Sequence, residues 1–320
     1  MERVRFFIIA CSLALLVAGC GGGSDNAGSA AKIGVAETTG SVEGSLPRWV
    51  ESELAAAPGG FVSLTLSSSD FAVGSNRLGF LIVRQNGQLV QSPRATVWVG
   101  EAGVSKPTRA EAVLVPLEPH SHPPGSPPHD HLDATDLYVA HVDLPATGRY
   151  WVVATPEGTN IQGVGSIEVA AESATPAVGA KAPRSDNPTL ADAPAEAIST
   201  ARPPDTELLR DSIAGALDAH EPFVVVFATP KYCESRTCGP TVETVDAVRR
   251  DLISSPVRWI HVEIYEDNDP AKGTNEWVKQ WNLPSEPWVF LVDEKGVIRT
   301  KFEGAVSKDE LEQAVRSHLL

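Results

Sequence analysis

Residues 223–240 read FVVVFATPKYCESRTCGP, and the second half of the chain is arranged around this stretch. The five apolar residues Phe223–Phe227 are too few for a core helix and predict a strand that is covered on both faces. Pro230 ends that strand, and a turn with Cys233 and Cys238 follows. Apolar residues at helical spacing after the second cysteine predict a helix. We therefore place the chemistry of the protein in this strand, turn and helix.

The cysteines of the chain fall into two pairs. Cys11 and Cys20 lie in an N-terminal targeting segment, which leaves one pair in the folded part. A thiol just before a helix meets the positive end of the helix dipole and unpaired backbone N–H groups, and both favour its thiolate. Residues five apart in a regular helix lie too far apart for a disulfide. If they are to bond, Cys233 must lie in the turn and Cys238 at the helix start.

A buried strand, a cysteine pair, a following helix and a later proline that opens another strand resemble the thioredoxin-like superfamily. The later proline is Pro287, in the segment LPSEPWVFLVD at residues 283–293. The resemblance implies that Pro287 follows a cis peptide bond, packs beside the cysteine pair and contacts the backbone of a bound substrate. It also implies thiol–disulfide exchange, in which Cys233 attacks and Cys238 resolves the mixed disulfide. The helix dipole alone could reverse these two roles, because Cys238 is closer to the helix start.

The elements around the cysteine pair also occur in the order of a thioredoxin core. We predict an α/β thioredoxin-like domain over residues 176–320, with an Ala- and Pro-rich first segment that extends to about residue 204. The expected elements are a helix over 205–219, the central strand, a helix to about 253, a strand over 257–264, a helix over 275–281, two strands joined at 293–296 and a last helix over 308–319. This order, αβαβαββα, is similar to that of the superfamily.

The N-terminus has the pattern of a bacterial lipoprotein. Two arginines precede the apolar run Phe6–Val17, which is too short to span a bilayer and typical of a signal peptide. LVAGC at residues 16–20 resembles a lipobox, which implies a signal peptide over residues 1–20 and a lipid anchor on Cys20. The alternative is a plain secretory signal or an uncleaved anchor. The Gly- and Ser-rich residues 21–45 predict a flexible tether.

These features place the protein at the extracytoplasmic face of a bacterial cell membrane. In that oxidising compartment a lone cysteine pair is often a disulfide at rest. The expected partners are extracytoplasmic thiol or disulfide proteins, together with the membrane that holds the lipid anchor. The formal net charge of -15 and the lack of a sustained basic patch argue against nucleic-acid binding.

Residues 46–170 predict a separate all-β domain, followed by a linker at 171–175. Short apolar runs alternate with Gly, Pro, Ser and Asn, which is typical of an antiparallel sandwich. The runs are 61–66, 78–84, 95–99, 137–142, 150–154 and 164–169. Asn86–Gly87 predicts a hairpin turn. The runs YVAHV and GRYWVV near residues 138–153 resemble paired strands of bacterial immunoglobulin-like domains, which implies an immunoglobulin-like sandwich.

A histidine-rich loop lies between the predicted strands of this domain. It reads HSHPPGSPPHDH and contains two His-x-His units, with His120 and His122 in the first and His129 and His131 in the second. Imidazoles grouped in this way suit copper, zinc or nickel, so copper or zinc is a candidate ligand. The alternative is a solvated, proline-stiffened loop that binds nothing.

The sequence therefore favours a membrane-anchored extracytoplasmic thiol–disulfide oxidoreductase that requires no cofactor. One alternative is a copper metallochaperone, in which the soft thiolates of Cys233 and Cys238 hold Cu(I) and the histidine-rich loop collects the metal or forms a second site. A copper-delivering family of cytochrome-oxidase assembly proteins combines two cysteines with one histidine in a thioredoxin fold, and a resemblance to it implies His261 as a candidate third ligand. Another is a non-catalytic interaction module, in which the cysteine pair is a structural disulfide.

Overall fold

The computed structural model describes residues 47–56, 61–84, 86–104, 106–119, 134–233 and 237–320. The predicted signal peptide, Cys20, the tether and the four histidines of the histidine-rich loop lie outside these ranges. None of the helices in the described ranges combines the length and the apolar character that a bilayer crossing demands.

Within the described residues, the N-terminal domain has one helix and eight strands. They are α1 (Arg48–Ala56), β1 (Phe61–Leu66), β2 (Phe71–Ala72), β3 (Gly74–Val83), β4 (Arg94–Glu101), β5 (Thr108–Pro116), β6 (Asp136–Leu144), β7 (Gly148–Pro156) and β8 (Gln162–Ala170). The strands form one sheet in the order β1-β3-β6-β5-β4-β7-β8-β2. A parallel pairing of β1 with β8 closes the first seven of these into a barrel. We call this part the barrel domain.

The prediction of a β-rich domain is confirmed, but the immunoglobulin-like sandwich is not. A sandwich needs two separate sheets, whereas the described strands of this domain all belong to one closed sheet. Small residues help to close it, because Gly163 and Gly165 of β8 leave room for Leu64 of β1 to pack across their backbone. Residues such as Leu64, Phe80 and Tyr138 then fill the interior, where the last two rings stack 5.3 Å apart.

The sequence reading also missed α1 and β5. α1 packs on the outside of the barrel, where Trp49 and Val50 contact Val153 and Val164. β5 lacks a clear apolar alternation, since Ala112 is its single fully covered side chain in the described structure. The turn at Asn86–Gly87 is present, and an isolated bridge between Val83 and Leu89 flanks it.

The elements of the C-terminal domain follow the predicted order, with one additional short helix, over Ala195–Ile198, that was not predicted. They are α2 (Ala195–Ile198), α3 (Ile213–Ala219), β9 (Phe223–Phe227), α4 (Cys238–Asp251), β10 (Arg258–Val262), α5 (Glu276–Gln280), β11 (Trp288–Val292), β12 (Ile298–Glu303) and α6 (Lys308–His318). One predicted helix is wrong in its extent: residues 205–219 form a 3-10 turn over Thr206–Leu209 and then α3. The helix restarts because the side chain of Ser212 accepts a hydrogen bond from Gly215 N and caps α3.

In the C-terminal sheet, the cysteine turn follows the end of a central strand, β9. Its order is β10-β9-β11-β12, with β10 parallel to β9 and the other pairs antiparallel. All five residues of β9 are completely buried, as the uninterrupted apolar run predicts. α4 and α6 cover one face of the sheet, and α3 and α5 cover the other. β9 therefore ends between two covered faces, directly before the turn that leads into α4.

The first segment of the predicted domain runs beside the hairpin of β11 and β12. Gly179 N donates to Ile298 O at 2.8 Å, and Ile298 N donates in return to Ala180 O at 2.9 Å. Ala182 N donates to Gly296 O at 2.9 Å in the same arrangement. The chain after residue 178 is thus held by the C-terminal domain.

Candidate active site

Cys233 and Cys238 form a disulfide where β9 leads into α4. Their Cα atoms lie 5.8 Å apart, within the range of ordinary disulfides. α4 begins at Cys238 and Cys233 lies in the turn before it, which is the placement expected from the spacing. Residues 234–236 between them lie outside the described part of the chain.

The two sulfurs have different surroundings. Cys238 is completely buried and packs in the cluster that contains Val242 and Val245 of α4. Cys233 is half-buried, and its Sγ accepts a hydrogen bond from Cys238 N at 3.1 Å. The first N–H group of the helix and the positive end of its dipole therefore both act on the Cys233 sulfur. An N–H donor and the positive end of a helix dipole are two features that favour a thiolate over a thiol.

Segments that are distant in the chain contact the residues just before Cys233. Lys231 N, two residues before Cys233, donates to Thr200 Oγ1 at 3.2 Å. Thr200 N in turn donates to Glu263 Oε1 at 2.5 Å. The ring of Tyr232 packs edge-on against Tyr265, with centroids 6.2 Å apart. The segment after α2 and the chain after β10 thus hold the residues that lead to the cysteines.

His261 lies on β10, in register with Val226 of β9, whose side chain packs on the α4 side of the sheet. It is buried, and its Nε2 atom lies 3.0 Å from Ala228 O. Across the described ranges, no three or more His, Cys, Asp or Glu side chains lie close enough to hold a metal ion. The structure therefore does not join His261 to the two cysteines as a three-ligand metal site.

Pro287 lies at the same end of the two central strands, β9 and β11, as the cysteine turn. The Glu286–Pro287 peptide bond is cis, as the resemblance implied. Trp288, the next residue, pairs with Phe227, the last residue of β9. Since the cysteine turn begins directly after Phe227, Pro287 and the turn start from neighbouring positions on adjacent strands. We call residues 285–288 the cis-proline loop.

Two carboxylates that the sequence reading did not single out lie beside these elements. Glu303, the last residue of β12, is buried and pairs in register with Trp288. Asp205 accepts a hydrogen bond from Glu207 N at 2.9 Å, and burial together with a hydrogen bond to Asp246 of α4 raises its pKa to about 6. Neither position has a local sequence signal, because the partners that matter are distant in the chain.

Comparison with known proteins identifies a relationship for one part of the chain. A family described as thioredoxin-like domain matches residues 209–318, a range that contains both cysteines of the disulfide and Pro287. No curated protein matches the chain.

Proposed function

We propose, from the premise that the C-terminal domain is thioredoxin-like, that this protein is a thiol–disulfide oxidoreductase acting through Cys233 and Cys238. The observation that carries the proposal is the asymmetric disulfide at the start of α4. One sulfur is accessible and receives a helix N–H group, while the other is buried beneath it. An attacking thiolate needs access and stabilisation, whereas a resolving thiol needs only to reach its neighbour.

The exchange proceeds in two displacement steps. In the reduced protein, the Cys233 thiolate attacks one sulfur of a partner disulfide, the partner S–S bond breaks, and one partner thiolate leaves and takes up a proton. Cys238 then loses its proton and attacks the Cys233 sulfur, which breaks the mixed disulfide and releases the second partner thiolate. Two electrons pass to the partner, and the protein is left with the Cys233–Cys238 disulfide. The same steps in reverse oxidise a partner dithiol.

Pro287 and the location of the protein complete the proposal. The position of the cis-proline loop beside the turn supports a role for Pro287 in aligning the backbone of a bound partner. The lipobox-like residues 16–20 support a lipid anchor on Cys20 at the extracytoplasmic face of the membrane. The partners are then extracytoplasmic proteins with thiols or disulfides.

Trapping of mixed disulfides tests the proposed function. We expect a reduced Cys238→Ser variant to accumulate mixed disulfides with a protein substrate that contains a disulfide, because the attacking sulfur remains while the resolving sulfur is gone. A Cys233→Ser variant is the matched control, and we expect it to accumulate none. The adducts are measured by non-reducing electrophoresis and mass spectrometry. Accumulation in Cys233→Ser alone would reverse the two roles.

Equilibration of the wild-type protein in glutathione buffers separates the alternatives. A reduction potential below about -300 mV would make the disulfide structural and contradict the proposal. A reduced protein that binds Cu(I) tightly and does not exchange disulfides would favour the metallochaperone instead.

A further inference from the structure

A buried carboxylate joins the barrel domain to the C-terminal domain. Glu303 accepts hydrogen bonds from Ser69 N and Ser69 Oγ, both at 2.7 Å, and from Asp70 N at 2.8 Å. Ser69 and Asp70 lie in the connection between β1 and β2 of the barrel. A fourth hydrogen bond comes from Ser285 Oγ at 2.6 Å, in the C-terminal domain. Three of these four donors therefore belong to the barrel.

The same carboxylate holds the cis-proline loop. Ser285 Oγ, which donates to Glu303, accepts a hydrogen bond from Trp288 Nε1 at 3.1 Å. Gly304 N, next to Glu303, donates to Pro287 O at 2.8 Å. Ser285 and Trp288 at the two ends of the loop contact Glu303, and the carbonyl of Pro287 within the loop contacts Gly304.

Further contacts hold the barrel segment in place. The Asp70 carboxylate accepts hydrogen bonds from Ala174 N at 2.9 Å and Thr175 Oγ1 at 3.1 Å. Lys301 of β12 donates to Thr175 Oγ1 at 2.6 Å and lies 3.9 Å from Asp70. At Gly304 the two backbones touch, because an ideal Cβ atom there would overlap the carbonyl oxygen of Ser67.

Arg77 of β3 adds a second attachment between the domains. It forms an ion pair with Glu310 of α6 at 2.7 Å and donates to Ala305 O at 2.9 Å. Both side chains of the ion pair are largely covered, with exposed fractions of 12% for Arg77 and 24% for Glu310. The barrel therefore contacts the C-terminal domain on both sides of Gly304.

A buried carboxylate is stable only when hydrogen-bond donors replace its lost water. Burial raises the pKa of Glu303, while the hydrogen bonds from Ser285, Asp70 and Ser69 oppose that change. Since most of the donors come from the barrel, the C-terminal domain alone does not satisfy Glu303. The carboxylate, and with it the cis-proline loop, depends on the barrel for its position.

We propose that Glu303 is a positioning residue, through which the barrel domain holds the cis-proline loop in the geometry that receives an extended peptide segment of a partner beside Cys233. This inference rests on the proposed function and deepens it: the substrate is a disulfide within a peptide backbone, and the barrel is a structural part of the site. A small disulfide without a peptide backbone does not need the loop.

The test measures the rate constants with which the reduced full-length protein reacts with two disulfide substrates. One is a synthetic peptide with an internal disulfide, and the other is hydroxyethyl disulfide. For Glu303→Gln we expect the second-order rate constant with the peptide to fall roughly tenfold, because a misplacement of about 1 Å can cost about a hundredfold and this substitution keeps the shape of the side chain. The amide keeps the size of the carboxyl group but turns an NH2 group toward a backbone N–H donor. The rate constant with hydroxyethyl disulfide and the reduction potential should stay at the wild-type values.

Two further variants keep the test decisive. Ser69→Ala retains Glu303 and removes one hydroxyl donor from the barrel, so it should show a smaller loss of the same kind even if Glu303→Gln fails to fold. Glu168→Gln makes the same chemical change in an exposed ion pair with Arg149 and should match the wild type. Equal losses with both substrates, or no loss with the peptide, would overturn the inference. A wild-type protein that exchanges with neither substrate would instead overturn the proposed function, and this inference with it.

Discussion

The two cysteines illustrate how a structure separates residues that look alike in the sequence. The helix dipole alone favoured whichever sulfur was nearer to the helix start, which left the attacking cysteine open. In the structure Cys238 is the first residue of α4, yet it points into the core, and its N–H group donates to the Cys233 sulfur. The end of the helix therefore acts on Cys233, which supports the assignment of Cys233 as the attacking residue.

Asp205 is expected to make the stability of the protein depend on pH. Burial and the hydrogen bond to Asp246 raise its pKa from 3.8 to about 6 in the folded protein. A carboxyl group with a raised pKa binds its proton more tightly in the folded state, so its stabilising effect is full at low pH and is lost as the pH rises through about 6. We expect Asp205→Asn to lose less stability than the wild type between about pH 5 and about pH 8.

Urea unfolding at both pH values measures this effect. Asparagine retains a side-chain oxygen for Glu207 N, so the cap of the 3-10 turn is kept. Asp218→Asn is the control, because its pKa is lowered by the hydrogen bond from Arg184, and its contribution does not change above about pH 5. If Asp205→Asn and the wild type lose the same stability over this range, Asp205 does not titrate as described.

Among the secondary-structure elements, those with a strong local pattern were predicted well. β9 has an uninterrupted apolar run, and the hairpin between β11 and β12 has a Gly296 with a φ angle of 71°, which suits a tight turn. The helix over 205–219 was predicted as one piece because its apolar spacing continues across the break. Only the capping geometry of Ser212 separates the 3-10 turn from α3.

The end of β12 should tolerate no side chain at Gly304. Its φ angle is 73°, and a Cβ atom would overlap the backbone of Ser67 in the barrel. We expect Gly304→Ala to lower the free energy of unfolding by about 1–3 kcal/mol, the usual cost of overpacking, beyond the cost of the backbone angle itself.

Gly158→Ala is the matched control for that variant. Gly158 has a φ angle of 71°, but a Cβ atom there meets no atom within 4 Å. Urea unfolding of both variants therefore separates the strain of the backbone from the contact between the domains. Equal destabilisation by the two substitutions would show that the close approach to Ser67 carries no energy.

At the scale of the whole molecule, the contacts between the two domains and the proposed lipid anchor are the features to test. The Glu303 and Arg77 contacts attach the barrel to the C-terminal domain, and the Gly- and Ser-rich residues 21–45 precede both in the sequence. We expect Cys20→Ser to move the protein from the membrane fraction to the soluble fraction, because the thiol that carries the lipid is gone. Immunoblots of separated cell fractions measure this. Unchanged membrane association would contradict the lipid anchor and favour an uncleaved signal segment.

Whether a feature could be predicted from the sequence depended on how far apart in the chain the interacting residues lie. The strand β9, the cysteine turn and the start of α4 were predictable, because apolar runs, prolines and helix starts act within a few residues. The cis bond before Pro287 was expected only from the resemblance to the thioredoxin-like superfamily. The closure of the barrel was not, since it depends on a parallel pairing of β1 with β8. The surroundings of Glu303 were not predictable either, because Ser69 lies 234 positions away in the chain. Local patterns specify elements, whereas burial and hydrogen bonding between distant segments arise only when those elements pack together.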